Sequence, residues 1–503
     1  MSKNTSPSAH QGAELPAVLA VRRAGVLLHP TSFPPADATQ ASGTLGQAAY
    51  RFVDHLAACG MSVWQMLPLG PTHSDGSPYQ CLSSHAGSPS LIDYDNLAQQ
   101  ATWLPQGVRD AGAALEAFEQ QADDAAKADW ERFQAEEAHW LGDYALFIAL
   151  REQHGMAAWF DWPQALRERQ PAALEQARSE LGTRTAQVRF EQYLFFKQWL
   201  ALRAYAHARG VLLFGDMPIY VAHDSAEVWA QPELFSVDAQ GQCISVAGVP
   251  PDYFSATGQR WGNPLYRWER HEADGFAWWQ ARFATQLKLF DIVRIDHFRG
   301  LEAYWSIPAE CETAMEGEWI LAPGDALLSA LRERFGALPV VAEDLGIITE
   351  EVTALRQKHG LPGMRILQFA FDGSAKNPYL PHNHTADSVV YTGTHDNDTT
   401  LGWWQSLSVQ QQAHVHEYLC GEDQPEDMPW LLIRAALESV AQLAIIPMQD
   451  LLELGAEARM NTPGTTEGNW VWRYDEAQCT LQRAQRMREA LALYDRLVAL
   501  QRV

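Results

Sequence analysis

Four acidic residues stand directly after short apolar runs of the kind that form buried β-strands. Asp216 follows VLLFG, Asp296 follows DIVRI, Glu343 follows PVVA and Asp396 follows VVYTGTH. A carboxylate at the end of a buried strand needs a partner or a chemical purpose. For any one of these acids a helix N-cap is the simpler interpretation. Four of them at the ends of strands favour a group of carboxylates that works together.

Two carboxyl groups that face one bond are what glycoside cleavage requires, one as nucleophile and the other as acid and base. Arg294 lies two residues before Asp296, so on a strand both side chains point to the same face. A guanidinium in that place keeps Asp296 ionised and oriented, as a nucleophile requires. Glu343 is the better acid, because its apolar neighbours Val341 and Ala342 favour a raised carboxyl pKa.

Other chemistries have less support in the sequence. The segment RIDH, which ends at His297, has no second cluster of His or Asp at metal-binding spacing. The Gly87-Ser88-Pro89 tripeptide lacks the glycine pattern of a nucleophile elbow. His395 beside Asp396 suits the recognition of sugar hydroxyls. The residues therefore predict a glycosidase or transglycosidase that uses no metal and no cofactor.

The elements that must position these acids alternate between strand-like and helix-like segments. Such alternation predicts parallel pairing, and eight units predict a (β/α)₈ TIM barrel, an α/β fold with its active site at the carboxyl ends of the strands. A doubly wound open sheet remains possible, although the chain has neither GxGxxG nor GxxxxGK[ST]. The eight strand-like runs are Ala24–Leu28, Val63–Leu67, Val211–Gly215, Asp291–Ile295, Leu338–Ala342, Met364–Phe369, Ser388–Thr392 and Leu443–Pro447.

The spacing of these runs predicts large insertions within one catalytic unit. Residues 1–20 are interpreted as a disordered N-terminal tail and residues 21–503 as the catalytic barrel. About 140 residues separate the second and third runs, and the stretch 95–187 is predicted to be a helical insertion subdomain. A second insertion at 220–268, rich in Gly, Pro and aromatic residues, is predicted to cover the active site.

One long helix is predicted to close the helical insertion. It runs over Val188–Arg209, with Gly210 as its C-terminal cap. One apolar stripe is expected to face the core, formed by Phe195, Trp199, Leu202 and Ala206.

The amino-acid composition indicates which ligands and which cellular setting suit the protein. The formal net charge of −25 disfavours nucleic acid, anionic lipid and phosphorylated substrates, whereas 19 Trp and 15 Tyr suit a neutral sugar. No apolar run is long enough for a membrane span or a secretory signal. The six cysteines show no CxxC and no paired spacing, which predicts a reducing, cytoplasmic setting.

Several longer segments carry a family likeness. The chain resembles the amylomaltases, the 4-α-glucanotransferases or disproportionating enzymes of glycoside hydrolase family 77, almost from end to end. The segments that carry this resemblance are GVLLHPTSFP, WQMLPLGP, SPYQ, GDMPIYVAHDSAEVW, AGVPPDYFSATGQRWGNPLY, VRIDHFRGLEAYWSIPA, VVAEDLG, GTHDNDTTLGWW and EARMNTPGTTEGNW.

The resemblance implies roles for three catalytic carboxylates and for the residues that bind substrate. Asp296 would be the nucleophile, Glu343 the acid/base, and Asp396 the third carboxylate, which binds sugar hydroxyls at the cleavage subsite. Tyr79 would be the platform beneath the sugar ring, with Trp261 and Asn263 on the acceptor side. The other implied binding residues are Asp216, Arg294 and His395 at the same subsite, Asn461 on a sugar, and Tyr253 and Phe254 near the donor glucan.

The implied activity is transfer of an α-1,4-glucan segment by a retaining double displacement. Its substrates would be maltooligosaccharides, starch or glycogen fragments, with glucose as an acceptor. The protein itself is expected to be a monomer or a weak homo-oligomer. An α-amylase-like hydrolase is the main alternative, and a non-catalytic glucan-binding scaffold is the second. The sequence departs from the family pattern at THSDGSPYQ, where Gly-Tyr-Gly is more usual before Tyr79.

Overall fold

Twelve strands lie in the part of the chain that the computed structural model describes, residues 15–35, 42–251, 255–420 and 428–498. They are β1 (Arg23–Leu27), β2 (Val63–Gln65), β3 (Leu212–Met217), β4 (Ser245–Val249), β5 (Gln259–Pro264), β6 (Ile292–Ile295), β7 (Ala303–Pro308), β8 (Glu318–Leu321), β9 (Val340–Ala342), β10 (Gly363–Ile366), β11 (Ser388–Tyr391) and β12 (Leu443–Pro447).

Eight of these strands form one parallel sheet in the order β10-β11-β12-β1-β2-β3-β6-β9. The sheet closes on itself where the amide of Ala342, in β9, donates to the carbonyl of Pro362, just before β10, at 2.8 Å. The strands are buried on both faces, as in β12, where all five residues are buried; such continuous apolar runs are typical of parallel sheets. The predicted (β/α)₈ barrel is confirmed, and each of the eight predicted runs overlaps one barrel strand.

The α-helices in the described residues are α1 (Gln47–Cys59), α2 (Tyr94–Gln100), α3 (Ala111–Gln121), α4 (Asp124–Glu136), α5 (Ala138–Gln153), α6 (Gln164–Arg167), α7 (Pro171–Glu180), α8 (Gly182–His207), α9 (Ala226–Ala230), α10 (Trp268–Ala273), α11 (Ala277–Leu289), α12 (Gly324–Phe335), α13 (Glu350–Lys358), α14 (Thr400–Ser406), α15 (Val409–Cys420), α16 (Trp430–Glu438), α17 (Met448–Leu451) and α18 (Leu481–Leu493). None of them combines the length and apolarity that crossing a membrane would need.

The excursion between β2 and β3 carries the helices α2 to α8. The predicted helix at its end is α8, which begins at Gly182, six residues earlier than expected. All four residues of the predicted stripe are buried. Gly210 has a φ of +73°, and its amide donates to the carbonyl of His207 at 2.9 Å. A left-handed glycine therefore ends this helix as the sequence predicts.

The second insertion contributes two strands to a small antiparallel sheet with the order β5-β4-β7-β8. Strands β4 and β5 come from the predicted insertion at 220–268, whereas β7 and β8 follow barrel strand β6. This sheet carries Trp261 and Asn263 on β5 and so brings them to the barrel rim. Tyr253 and Phe254, expected between β4 and β5, lie outside the described residues.

Two boundaries differ from the sequence-based expectation. The strand predicted over Met364–Phe369 ends at Ile366, because Leu367–Phe369 turns into a 3₁₀ helix at the barrel rim. Within the predicted tail, Ala17–Leu19 forms a 3₁₀ turn whose Leu19 is buried in an apolar cluster with Leu27 and Val63. Ordered packing therefore includes a residue before Arg23.

Candidate active site

The barrel register places the predicted carboxylates side by side. Asp216 pairs with Arg294 across β3 and β6, and Ile295 pairs with Ala342 across β6 and β9. Asp296 directly follows β6, and Glu343 directly follows β9. The amide of Glu343 donates to the carbonyl of Ile295 at 3.0 Å. Both carboxylates therefore lie at the carboxyl ends of neighbouring strands, where barrel active sites are built.

Arg294 holds two carboxylates at once. Its Nη1 donates to Asp216 Oδ2 at 2.6 Å and its Nη2 to Asp296 Oδ1 at 2.7 Å. Burial opposes the charge on this guanidinium, but Asp216 and Asp296 raise its pKa well above the usual value. Burial raises the pKa of Asp296, and Arg294 counteracts that rise. The predicted same-face pairing of Arg294 and Asp296 is confirmed, and it orients one oxygen of the Asp296 carboxylate.

The carboxyl group of Glu343 accepts hydrogen bonds from two backbone amides. Its Oε2 accepts from the amide of His297 at 2.8 Å, and its Oε1 accepts from the amide of Leu345 at 3.2 Å. Burial raises the pKa of Glu343 to about 8; the Asp296 carboxylate adds to the rise, whereas Arg294 opposes it. At neutral pH the side chain is therefore mostly protonated and able to donate a proton.

His297 owes its position to an uncommon backbone conformation. It has a φ of +51° although it is not a glycine, a conformation that costs about 1–3 kcal/mol. This turn directs the His297 amide at Glu343, and its imidazole packs edge-on to Trp261, with ring centroids 4.8 Å apart. The sequence analysis considered His297 only as a metal ligand within RIDH and did not predict this contact with Glu343, although His297 also lies in the quoted segment VRIDHFRGLEAYWSIPA.

A stacked pair of rings joins distant parts of the chain behind these acids. Tyr79 stacks on His395, with centroids 5.3 Å apart and planes 19° apart. The Tyr79 hydroxyl donates to Asp216 Oδ2 at 2.8 Å and lies 2.9 Å from His395 Nε2. Because this hydroxyl has one hydrogen, the arrangement requires the proton of His395 to be on Nε2. Asp216 is 1% exposed, so it fixes Arg294 and Tyr79 from behind.

The third carboxylate, Asp396, is the most open of the three. Its side chain is 46% exposed, against 30% for Asp296. Asn461 Nδ2 donates to Asp396 Oδ1 at 2.7 Å, and Arg459 Nη2 donates to the Asp396 carbonyl at 2.7 Å. These contacts orient Asp396 and leave carboxylate surface available to a ligand. Arg459 is a further residue that was not singled out.

The predicted acceptor residues differ in accessibility. Asn263 is 5% exposed and donates from Nδ2 to the Val221 carbonyl at 2.9 Å, while its Oδ1 accepts from Gln80 Nε2 at 3.3 Å. Trp261 is half-buried and presents part of its ring to the same space. Asn263 therefore supports the wall that Gln80 and Trp261 form.

Most of these groups border one open cavity of about 460 Å³, within the roughly 300–1,000 Å³ typical of ligand pockets; Asp216, His395 and Arg459 are not among its lining residues. Of the predicted site residues, it is lined by Tyr79, Trp261, Asn263, Arg294, Asp296, Glu343, Asp396 and Asn461. The sequence did not single out Gln259 or Trp470, which line it too. Both lie within quoted motif segments, and a search for aromatic and amide residues there would have found them. In the described residues, no group of three His, Cys, Asp or Glu side chains is arranged to hold a metal.

A family model described as 4-alpha-glucanotransferase, that of glycoside hydrolase family 77, matches residues 28–479. The chain belongs to this family. It is 48% identical over 499 residues to a 4-alpha-glucanotransferase of Thermus thermophilus, covering 95% of this chain and 99% of that protein. It is also 48% identical over 482 residues to a 4-alpha-glucanotransferase of Synechocystis, covering 91% and 94%.

The fold of this chain is also similar to that of an amylomaltase whose structure has been solved. The amylomaltase of Streptococcus agalactiae, solved in complex with acarbose, matches with a TM-score of 0.89 at 38% identity. The match covers 94% of this chain and 99% of that one. Fold and sequence therefore agree on the family.

The buried ion pair of Arg294 leads to a prediction about stability. Replacing Arg294 with Gln leaves Asp216 buried and unpaired, so we expect a loss of about 3–5 kcal/mol in the free energy of unfolding. Denaturant unfolding followed by tryptophan fluorescence measures it. A second substitution, Asp216→Asn, removes the lone charge and should recover part of the loss.

The same substitution in an exposed pair is the matched control. Arg109 Nη1 lies 2.7 Å from Asp95 Oδ1, but these side chains are 59% and 48% exposed. Arg109→Gln should therefore cost less than about 1 kcal/mol. Equal losses for Arg294→Gln and Arg109→Gln would contradict the structural role assigned to the buried pair.

Proposed function

We propose that this protein is a 4-α-glucanotransferase, which moves a segment of an α-1,4-glucan to the 4-hydroxyl of another glucan or of glucose. The observation that carries this is the pairing of Asp296, fixed by Arg294, with Glu343, which is mostly protonated at neutral pH, on adjacent barrel strands. Membership of the 4-alpha-glucanotransferase family supports transfer as the outcome.

In the first step Glu343 donates its proton to the oxygen that bridges two glucosyl units. The Asp296 carboxylate attacks the anomeric carbon from the opposite side, and the bond from that carbon to the bridging oxygen breaks. The released glucan leaves with a free 4-hydroxyl, and the remaining segment is joined to Asp296 through an ester. Glu343 is then ionised and able to act as a base.

In the second step an incoming 4-hydroxyl attacks the anomeric carbon while Glu343 takes its proton. The bond to Asp296 breaks, the carboxylate is restored and a new α-1,4 bond forms. Two inversions give net retention, which requires the two carboxyl groups to lie roughly 5–5.5 Å apart.

The residues around this pair take binding roles in the proposal. Asp396, oriented by Asn461, accepts hydrogen bonds from the hydroxyls of the sugar whose bond is cleaved, and Tyr79 supports the same ring. His395 positions Tyr79 through its Nε2 proton. Asp216 acts indirectly, since it holds Arg294 and Tyr79.

The two sides of the cleft are proposed to receive different glucans. Trp261 would contact the acceptor, within a wall that Asn263 supports through Gln80. We also propose that Tyr253 and Phe254, which lie outside the described residues, contact the donor glucan. Exclusion of water from the glycosyl-enzyme is what separates transfer from hydrolysis.

Incubation with maltotriose alone tests transfer against hydrolysis. We expect a ladder of longer maltooligosaccharides together with free glucose, while the total number of reducing ends stays constant. Chromatography and a reducing-end assay measure both quantities. Rising reducing ends without longer products would identify an α-amylase-like hydrolase and contradict the proposal.

The predicted organisation and setting are part of the same proposal. The barrel carries the chemistry, the helical insertion at 95–187 forms a subdomain, and the insertion at 220–268 covers the cleft. We place the protein in the cytoplasm as a monomer or weak homo-oligomer. Sedimentation velocity over a range of concentrations tests the assembly, and a stable large oligomer would contradict it.

A further inference from the structure

A second cavity, of about 410 Å³, lies beside the catalytic cleft and shares Gln80 and Trp261 with it. Because Trp261 is on the proposed acceptor side, a glucan that leaves the cleft past this ring enters the second cavity. Its remaining lining residues are His73, Asp75, Phe160, Ala222, His223, Asp224 and Gly262.

The wall of this cavity contains a fixed pair of rings. Phe160, from the helical insertion, stacks on His223 with centroids 4.2 Å apart and planes 11° apart. His223 Nε2 lies 2.7 Å from the Gly241 carbonyl, and Trp159 Nε1 donates to the His223 carbonyl at 2.8 Å. Burial lowers the pKa of His223, so the pair is uncharged at neutral pH. A rigid, neutral ring surface suits the C–H face of a sugar, since little freedom is lost on binding.

The polar groups of the cavity favour a neutral ligand with hydroxyl groups. Asp75 is exposed, and its Oδ1 accepts from the Ser77 amide at 3.1 Å, so carboxylate surface remains for a sugar hydroxyl. Asp224 is neutralised by Arg151 and also accepts from the Trp159 amide at 3.2 Å. An anionic ligand would meet these carboxylates, and the net charge of −25 also disfavours it.

We propose that Phe160 and His223 form a distal acceptor subsite that binds a glucosyl unit of the incoming glucan. The inference rests on the proposed transfer reaction and specifies its acceptor, a maltooligosaccharide long enough to extend past Trp261. It gives the helical insertion a part in substrate selection. His73 and Asp75, from the segment THSDGSPYQ, line the same cavity.

Acceptor competition tests the subsite. The donor is unlabelled maltotriose, and labelled glucose or labelled maltopentaose is the acceptor. In Phe160→Leu, which keeps an apolar side chain but removes the ring, the ratio of kcat/KM for maltopentaose to that for glucose should fall on the order of tenfold. The change should arise from a higher KM for maltopentaose, and Phe160→Trp should restore the ratio.

Phe371→Leu is the matched control, since Phe371 packs against Trp403 and Tyr418, which line neither cavity. This variant should keep the wild-type ratio. An unchanged ratio in Phe160→Leu, or an equal loss with both acceptors, would overturn the subsite while leaving the transferase proposal standing. A wild-type protein that transfers to neither acceptor would overturn both.

Discussion

Replacing Glu343 with Gln should lower kcat with maltotriose by about 10³-fold, within the roughly 10²–10⁴-fold that a general acid contributes. The amide cannot donate the proton that the bridging oxygen needs, and it cannot accept one from the incoming hydroxyl. Glutamine keeps an oxygen that can accept from the His297 or Leu345 amide, so the fold and glucan binding should be preserved. Steady-state kinetics and isothermal titration with maltotriose measure turnover and affinity separately.

A donor with a better leaving group separates acid catalysis from misfolding. Fluoride departs from an α-maltosyl fluoride without protonation, so Glu343→Gln should form the glycosyl-enzyme from this donor at near the wild-type rate. The second step lacks its base, and the protein should accumulate with one maltosyl unit attached, which intact-protein mass spectrometry detects. A glucan-binding scaffold would form no adduct, and its binding function would survive the substitution.

The pH dependence follows from the same carboxyl group. Burial raises the pKa of Glu343 to about 8, so its acid form predominates at pH 7 and is lost as the pH rises through about 8. The wild-type kcat/KM should therefore fall on the alkaline side with a midpoint near that value, and this limb should be missing in Glu343→Gln. Burial also raises the pKa of Asp296, which should move the acid limb above the ordinary aspartate range.

The parts of this fold that sequence could predict are those set by local pattern. Apolar runs such as LAIIP in β12 are buried on both faces of the sheet, which makes them recognisable without knowledge of their neighbours. The pairing of Arg294 with Asp296 follows from the two-residue repeat of a strand. The raised pKa of Glu343 follows from the apolar residues before it and from the position of the strand end.

The parts that sequence could not predict depend on contacts between distant segments. Tyr79, Asp216 and His395 meet although 137 and 316 residues separate Tyr79 from the other two. The strand-end pattern placed Asp216 with the other acids, but the role of Tyr79 came from the family resemblance, and no spacing rule would have joined Tyr79 to the other two. The left-handed turn at His297 has no distinctive sequence signature either, because histidine, although enriched among the non-glycine residues with positive φ, adopts that conformation in only a minority of cases. Strain of this kind is maintained by the surrounding packing.

Replacing Asp296 with Asn should have a still larger effect, a loss of kcat of roughly 10⁴–10⁶-fold, because the amide is a poor nucleophile and the covalent step has no substitute. Asp291→Asn is the matched control on the other end of the same strand. Asp291 accepts from Arg203 at 2.6 Å and from the Leu213 amide at 2.8 Å, so it serves stability. We expect Asp291→Asn to lower the melting temperature and leave kcat nearly unchanged. Asp296→Asn should instead lower kcat and leave the melting temperature nearly unchanged.

Chemical rescue identifies the role of Asp296 beyond the loss of rate. In Asp296→Ala the space beneath the anomeric carbon is open to a small anion, while Glu343 still protonates the leaving oxygen. Azide should therefore restore cleavage of maltotriose and be found in the product as a β-glycosyl azide, since a single displacement inverts the α configuration. Proton NMR distinguishes the two anomers. An α-azide, or no rescue in a folded variant that still binds maltotriose, would mean that another residue attacks and that Asp296 acts only through its charge.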